Sequence, residues 1–153
     1  MTNDEYVQAV QDGVWPEDCS VPLDPPFTNE AGSIQNLVLR PFTSAAIIES
    51  RRGAVRSNHY HKSDHHFLFV LSGRLLYLER PVGAAGLPEP RLFGPGSMFF
   101  TPPMREHAVL FLENTVLVSL AKNVRDHEHH EDDLVRVPFL DSETASRLLA
   151  SYS

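Results

Sequence analysis

The sequence contains a single cysteine, Cys19. One thiol closes no intrachain disulfide and, lacking a second, builds no zinc knuckle, which fits a reducing compartment. A basic block is missing as well, since 13 Lys and Arg stand against 20 Asp and Glu, a formal net charge of −7. Proteins that hold phosphate backbones or anionic lipid draw most of their affinity from clustered Lys and Arg, so neither nucleic acid nor a membrane is expected as a partner. Long apolar runs are also absent. Phe67-Leu-Phe-Val-Leu71 is of strand length and far short of a span, and the first thirty residues hold no basic segment followed by an apolar one. The expectation is a cytoplasmic protein.

What is present suits one packed domain: 153 residues, 42% hydrophobic and 22% charged. Residues 1–35 read as an N-terminal arm, with a helical turn or two from Asp4 ended by Gly13, then Pro16, Pro22, Pro25 and Pro26, which oppose regular ladder pairing. From residue 36 to 140 the texture is of short Val, Leu, Ile and Phe runs broken by Gly and Pro, the pattern of an all-β sandwich or barrel. Strands are expected at Asn36–Arg40, Ala45–Glu49, His66–Leu71, Arg74–Leu78, Ser97–Thr101, Ala108–Leu112, Thr115–Leu120 and Leu134–Phe139. Residues 141–153 form a C-terminal helix or tail, with Asp141 or Ser142 as its N-cap. Phe67, Phe69, Phe99 and Phe100 are assigned to the core.

Eight histidines are the outstanding feature, and they cluster. His59 and His61 sit two apart on an expected strand, which points both imidazoles to one face and sends Arg56 and Tyr60 to the other. His66 opens the next strand, whose alternation groups it with Leu68 and Val70 and sets His65 with Phe67 and Phe69. His107 follows the turn Pro102-Pro103-Met-Arg-Glu, where Arg105 and Glu106 read as solvated. The segment from Arg125 to Asp133 reads as a solvated acidic loop whose three histidines do not converge.

The spacing Gly53, His59, His61, His66, Gly73 resembles the first motif of the cupin superfamily, with histidine where that motif has glutamate. Gly96, Pro102 and His107 fall on the second motif, with Met104 and Phe111 replacing its glycine and asparagine. The resemblance implies an all-β, cupin-type β-barrel (a double-stranded β-helix or jelly roll), as in small single-domain RmlC-like cupins. It also implies metal ligation by His59, His61, His66 and His107. His65 rivals His66 for the third position, and both the distance to Gly73 and the strand alternation favour His66. Imidazole suits Fe, Mn, Ni, Cu and Zn, so one divalent transition ion is expected, with Fe(II) the leading choice.

An octahedral ion held by four imidazoles keeps two positions open for a small-molecule substrate or O₂, so the leading expectation is a dioxygenase-like oxidoreductase. The alternative is a redox-neutral isomerase or epimerase of a nucleotide sugar, in which His59 or His66 carries a proton and no metal is needed. A third reading is a non-catalytic cupin that binds a metal or ligand. A homodimer is expected, with the arm or the first strand adding to the partner's sheet.

Overall fold

The computed structural model describes residues 1–124 and 126–153; Arg125 lies outside them. The chain opens with α1 (Asn3–Gln11), started by a capping box in which the Thr2 side chain accepts from the Glu5 N–H and the Glu5 carboxylate accepts from the Thr2 N–H. Then follow β1 (Ser20–Val21), β2 (Phe27–Asn29), β3 (Gly32–Ile34), β4 (Ser44–Ser50), β5 (Val55–His61), β6 (His66–Ser72), β7 (Leu75–Pro81), β8 (Arg91–Phe93), β9 (Met98–Thr101), β10 (Arg105–Phe111) and β11 (Thr115–Ala121). The chain ends with α2 (His127–Asp133), β12 (Leu134–Arg136) and α3 (Ser142–Ser151), the last capped by Asp141 as the sequence suggests.

Two five-stranded antiparallel sheets face each other, in the orders β1-β9-β6-β11-β4 and β12-β5-β10-β7-β8. Among the described residues no ladder joins one sheet to the other, so the architecture is a jelly-roll sandwich rather than a closed barrel. Leu68, Val70, Tyr77, Phe99, Val109 and Phe111 fill the space between the sheets. Each sheet also buries its outer face. Tyr6, Val7 and Val10 of α1 lie on Phe67, Met98 and Phe100, while Leu140 and Ala145 cover Leu76, Leu78 and Leu110. This four-layer arrangement explains why β6, β7 and β10 lack a polar face: nearly every position meets either the other sheet or a helix.

Two expected strands differ from the structure. Asn36–Arg40 forms none, because Leu37 and Val38 are used to pack beside α1 and the Leu37 carbonyl accepts from the Asn3 side chain at 3.0 Å instead of from a ladder. Leu134–Phe139 stops at Arg136, two residues before Pro138. No described helix is long and apolar enough to cross a membrane.

Gly73 turns the chain from β6 to β7 at φ +89°, and a Cβ there would run into Thr115 and the Asn114 carbonyl. Gly83 has nearly the same φ, +82°, with open space around it. Gly83→Ala is therefore expected to cost only the left-handed penalty, about 1 kcal/mol. Gly73→Ala adds a backbone clash and should cost at least about 1 kcal/mol more in urea denaturation. Equal losses would contradict this packing of the turn.

Candidate functional site

The site begins with an irregularity in β5. Ser57 and Asn58 have φ +72° and +57°, and the ladder to β10 pairs His59 with His107 but Ser57 with Ala108, so Asn58 is an extra residue without a partner. The Asn58 side chain holds this bulge to the C-terminal segment, donating to the Leu140 carbonyl at 3.0 Å and accepting from its N–H at 3.1 Å. Inserting one residue inverts the alternation upstream of it. Arg56, expected on the face away from the histidines, consequently lines the same cavity, where it donates to Ser50 Oγ at 2.7 Å and to the Glu49 carbonyl at 3.0 Å.

That cavity, of about 160 Å³, lies between the sheets. Its polar lining includes His59, His61, His66, Thr101, His107 and His130, and its apolar lining is Ile48, Leu68, Val109, Phe111 and Leu117. His66 faces it as the β6 alternation requires, while His65 turns outward against Trp15, Phe42 and Phe100.

Three of the imidazoles are each set by a different neighbour. His61 Nδ1 lies 3.0 Å from Asp133 Oδ2, and Asp133 also accepts from the Ser63 N–H at 2.9 Å, the Ser63 hydroxyl at 2.9 Å and the Asp64 N–H at 3.1 Å. Burial works against ionising Asp133, but those hydrogen bonds prevail and hold its pKa below the ordinary carboxylate value. A carboxylate only accepts, so Nδ1 carries the proton and Nε2 is left with a lone pair; Nε2 is buried and has no hydrogen-bond partner among the described residues. His66 Nε2 lies 2.8 Å from Asp64 Oδ2, and Asp64 in turn accepts from the N–H groups of His65 and Asn123, each at 2.9 Å. Although burial raises the Asp64 pKa, its bond to His66 and those backbone donors bring it down to about 2. His107 Nδ1 donates to the Arg105 carbonyl at 3.0 Å, which leaves its Nε2 unprotonated.

Ring centres lie 4.8 Å apart for His59 and His61, 4.8 Å for His61 and His66, and 4.9 Å for His59 and His107. The nitrogens of His59, His61 and His107 form one group within 4.8 Å, close enough to share an ion; His66 belongs to a second group with Asp64 and His61. The four imidazoles thus form two overlapping sets joined at His61.

Sequence reasoning missed the partners. The stretch read as a solvated loop folds as α2, capped by Asp126, and it brings Asp133 to His61 and the His130 ring to 5.4 Å from the His61 ring. An N-capping Asp before seven residues was the only available signal, and it says nothing of where the helix docks. Glu106, read as solvated, is buried, accepting from Arg80 at 2.7 Å and from the Gly83 N–H at 3.0 Å, and so clamps the loop after β7.

Burial, followed by the charge of neighbouring histidines, pulls His59 down to a pKa of about 3 and His61 to about 4. The unfolded chain takes up these protons near pH 6.5, so it binds more protons than the folded chain at every pH between that value and about 4. Stability should therefore be level above pH 7 and fall from about pH 6.5 to 4, by several kcal/mol in all. Asp64 should contribute its loss only below that window. Chemical denaturation at stepped pH checks this, and His59→Gln should flatten the slope. Unchanged stability from pH 7 to 5 would mean that the cluster is not buried neutral.

No protein-family model and no curated protein sequence matches the chain. Solved structures do. The QdtA 3,4-ketoisomerase from Thermoanaerobacterium thermosaccharolyticum, as a double mutant in complex with TDP, aligns at TM-score 0.57 and 20% identity over 80% of this chain and 91% of that one. A 3,4-ketoisomerase from Helicobacter canadensis aligns at TM-score 0.60 and 14% identity, over 82% and 92%. A dTDP-4-dehydrorhamnose 3,5-epimerase from Sulfolobus tokodaii aligns at TM-score 0.53 and 17% identity, over 68% and 69%. These enzymes isomerise and epimerise sugars, chemistry that moves protons without changing oxidation state. Their likeness corrects the expectation of an Fe(II) dioxygenase-like oxidoreductase, and with it the expected transition-ion cofactor: the molecule found with the similar ketoisomerase is TDP. The chain has the jelly-roll fold of the RmlC-like cupins.

Proposed function

We propose that this chain is a redox-neutral isomerase or epimerase of a keto sugar carried on a nucleotide. The observation that carries the reading is the His61–Asp133 pair: a buried imidazole whose tautomer is fixed by a carboxylate and whose other nitrogen is free to take a proton. His61 Nε2 removes the proton from the carbon beside the sugar ketone, leaving an enolate. Asp133 stabilises the imidazolium so formed by its existing hydrogen bond. Protonation of the same carbon from the opposite face by a second acid epimerises it, and His61 then releases the proton it took to solvent. Passing a hydroxyl proton between the two oxygens of the enediolate and returning the carbon proton to the neighbouring carbon moves the ketone. Either way protons and electrons balance, and no oxidant is consumed.

His59, His66 and His107 surround the reacting carbon in this reading, and burial keeps the rings of His59 and His107 neutral. The comparisons support the substrate class, since one structure of a histidine-to-asparagine variant of the similar ketoisomerase contains TDP-4-keto-6-deoxyglucose. The same compound, incubated with this protein in D₂O, should gain deuterium beside its ketone. His61→Asn should slow the exchange by at least about a hundredfold. Asp133→Asn should lower the rate while leaving substrate affinity nearly unchanged, because it alters the base and touches no substrate atom. Absence of exchange with TDP- or UDP-linked keto sugars would overturn the assignment.

We also infer a homodimer in the cytoplasm, a setting that suits the unpaired thiol of Cys19. The β2–β3 hairpin is exposed throughout and pairs Phe27 with Ile34 across its strands, and a lone two-stranded hairpin has marginal stability in water. Its apolar pair and the exposed Ile47 on edge strand β4 are the surfaces a second copy would cover. Sedimentation equilibrium should give a dimer for the wild type and a monomer for the Phe27→Ser, Ile34→Ser double variant. A wild-type monomer at micromolar concentration would contradict this.

A further inference from the structure

Asp64 and His66 form a second carboxylate–imidazole pair, which the carbon-side chemistry of His61 leaves unused. Both backbone donors to Asp64, the N–H groups of His65 and Asn123, end on Oδ1, and Oδ2 is left to His66 Nε2 at 2.8 Å. The pair is buried, with 4% of the Asp64 side chain and 7% of the His66 side chain exposed, and His66 lines the cavity. A carboxylate only accepts, so His66 carries its proton on Nε2 and keeps a lone pair on Nδ1. This repeats the arrangement of His61 and Asp133 with the two ring nitrogens exchanged.

Where the rings stand limits the reaction. Inverting one carbon takes a base on one face and an acid on the other, and two rings in van der Waals contact with opposite faces of one atom lie about 7 Å apart. From the His61 ring centre, the other cavity imidazoles lie at 4.8 Å (His59 and His66), 5.4 Å (His130) and 5.7 Å (His107). None of them leaves room for a substrate between itself and His61. Rings side by side instead reach two adjoining positions of one substrate from the same side. Moving a ketone to the next carbon needs such a pair, because one proton changes carbon while a second changes oxygen.

We propose that His66 is a catalytic residue that moves the hydroxyl proton, and that the reaction is therefore a ketone shift and not an epimerisation; this rests on the isomerase-or-epimerase reading of the same site. His61 Nε2 takes the C–H proton beside the ketone, and the electron pair of that bond forms the enolate. His66 Nδ1 takes the proton of the hydroxyl on the carbon just deprotonated, and Asp64 stabilises the imidazolium through its existing hydrogen bond. His66 then gives that proton to the former ketone oxygen, and the negative charge passes to the other oxygen. As that oxygen becomes the new ketone, His61 returns its proton to the former carbonyl carbon. Both histidines end as they began, and no external oxidant or reductant enters.

One incubation separates the two steps. With TDP-4-keto-6-deoxyglucose in D₂O, deuterium in the recovered substrate reports the carbon step of His61, and the 3-keto isomer reports both steps together. The wild-type protein should give both. His66→Gln should still load deuterium, within a few-fold of the wild type, while isomer formation falls by at least about a hundredfold. Asp64→Asn, which removes the acceptor that fixes the His66 tautomer, should shift the ratio of isomer to deuterium uptake in the same direction. Melting temperatures establish that the variants fold, and His66→Asn serves if His66→Gln does not. Isomer formation unchanged in folded His66→Gln, or uptake and isomer lost in equal proportion, would overturn the proposal. An epimer formed by the wild type in place of the isomer would remove this inference and leave the broader reading standing, whereas no uptake by the wild type would overturn both.

Discussion

The Asp133 carboxylate accepts from the Ser63 N–H, the Ser63 hydroxyl, the Asp64 N–H and His61 Nδ1, and the Asp133 carbonyl accepts from the Lys62 N–H at 2.9 Å. One residue at the end of α2 thereby joins that helix to the β5–β6 turn, orders the turn, and sets the tautomer of the imidazole at the centre of the cavity. Asp64, held in place by its N–H bond to Asp133, does the same for His66 from the other side of the turn. The position of both dyads follows from this one half-buried carboxylate, and so does the docking of His130 over the cavity.

Burying several neutral imidazoles together costs stability at acid pH and carries a chemical benefit at neutral pH. A solvated histidine would be partly protonated near its ordinary pKa, and a protonated ring takes no proton from carbon. Inside the sandwich, desolvation keeps His59, His61 and His107 neutral, and their nitrogens stay ready as acceptors. The two outer layers, α1 and α3, make this burial sustainable by relieving the inter-sheet space of the need to supply the whole apolar core.

Much of the fold was legible in the sequence, because strand-length apolar runs, Gly and Pro punctuation and the Gly53 to Gly73 spacing all report local constraints. His59, His61, His66 and His107 were legible for the same reason, each lying in or beside a strand whose partner is fixed by register. Two things were not. The bulge at Ser57 and Asn58 uses non-glycine residues at positive φ, and its support comes from Leu140, far along the chain, so strict alternation misplaced Arg56. Asp133 stands 72 residues from His61 in an acidic run, where its composition reads as solvent-facing and only tertiary docking gives it a role. The chemistry was misjudged for another reason: clustered imidazoles, and the carboxylates behind them, fit ligation and proton transfer alike, and the correction came from the likeness to sugar isomerases and epimerases.

The central claim is that Asp133 holds His61 as the Nδ1–H tautomer with Nε2 unprotonated. Long-range proton–nitrogen correlation spectra of ¹⁵N-labelled protein read imidazole tautomers directly. The account predicts, at pH 7, a protonated Nδ1 and a bare Nε2 for His61 in the wild type, and a mixture of tautomers in Asp133→Asn. A His61 that is charged at pH 7, or protonated on Nε2 with Asp133 intact, would contradict it.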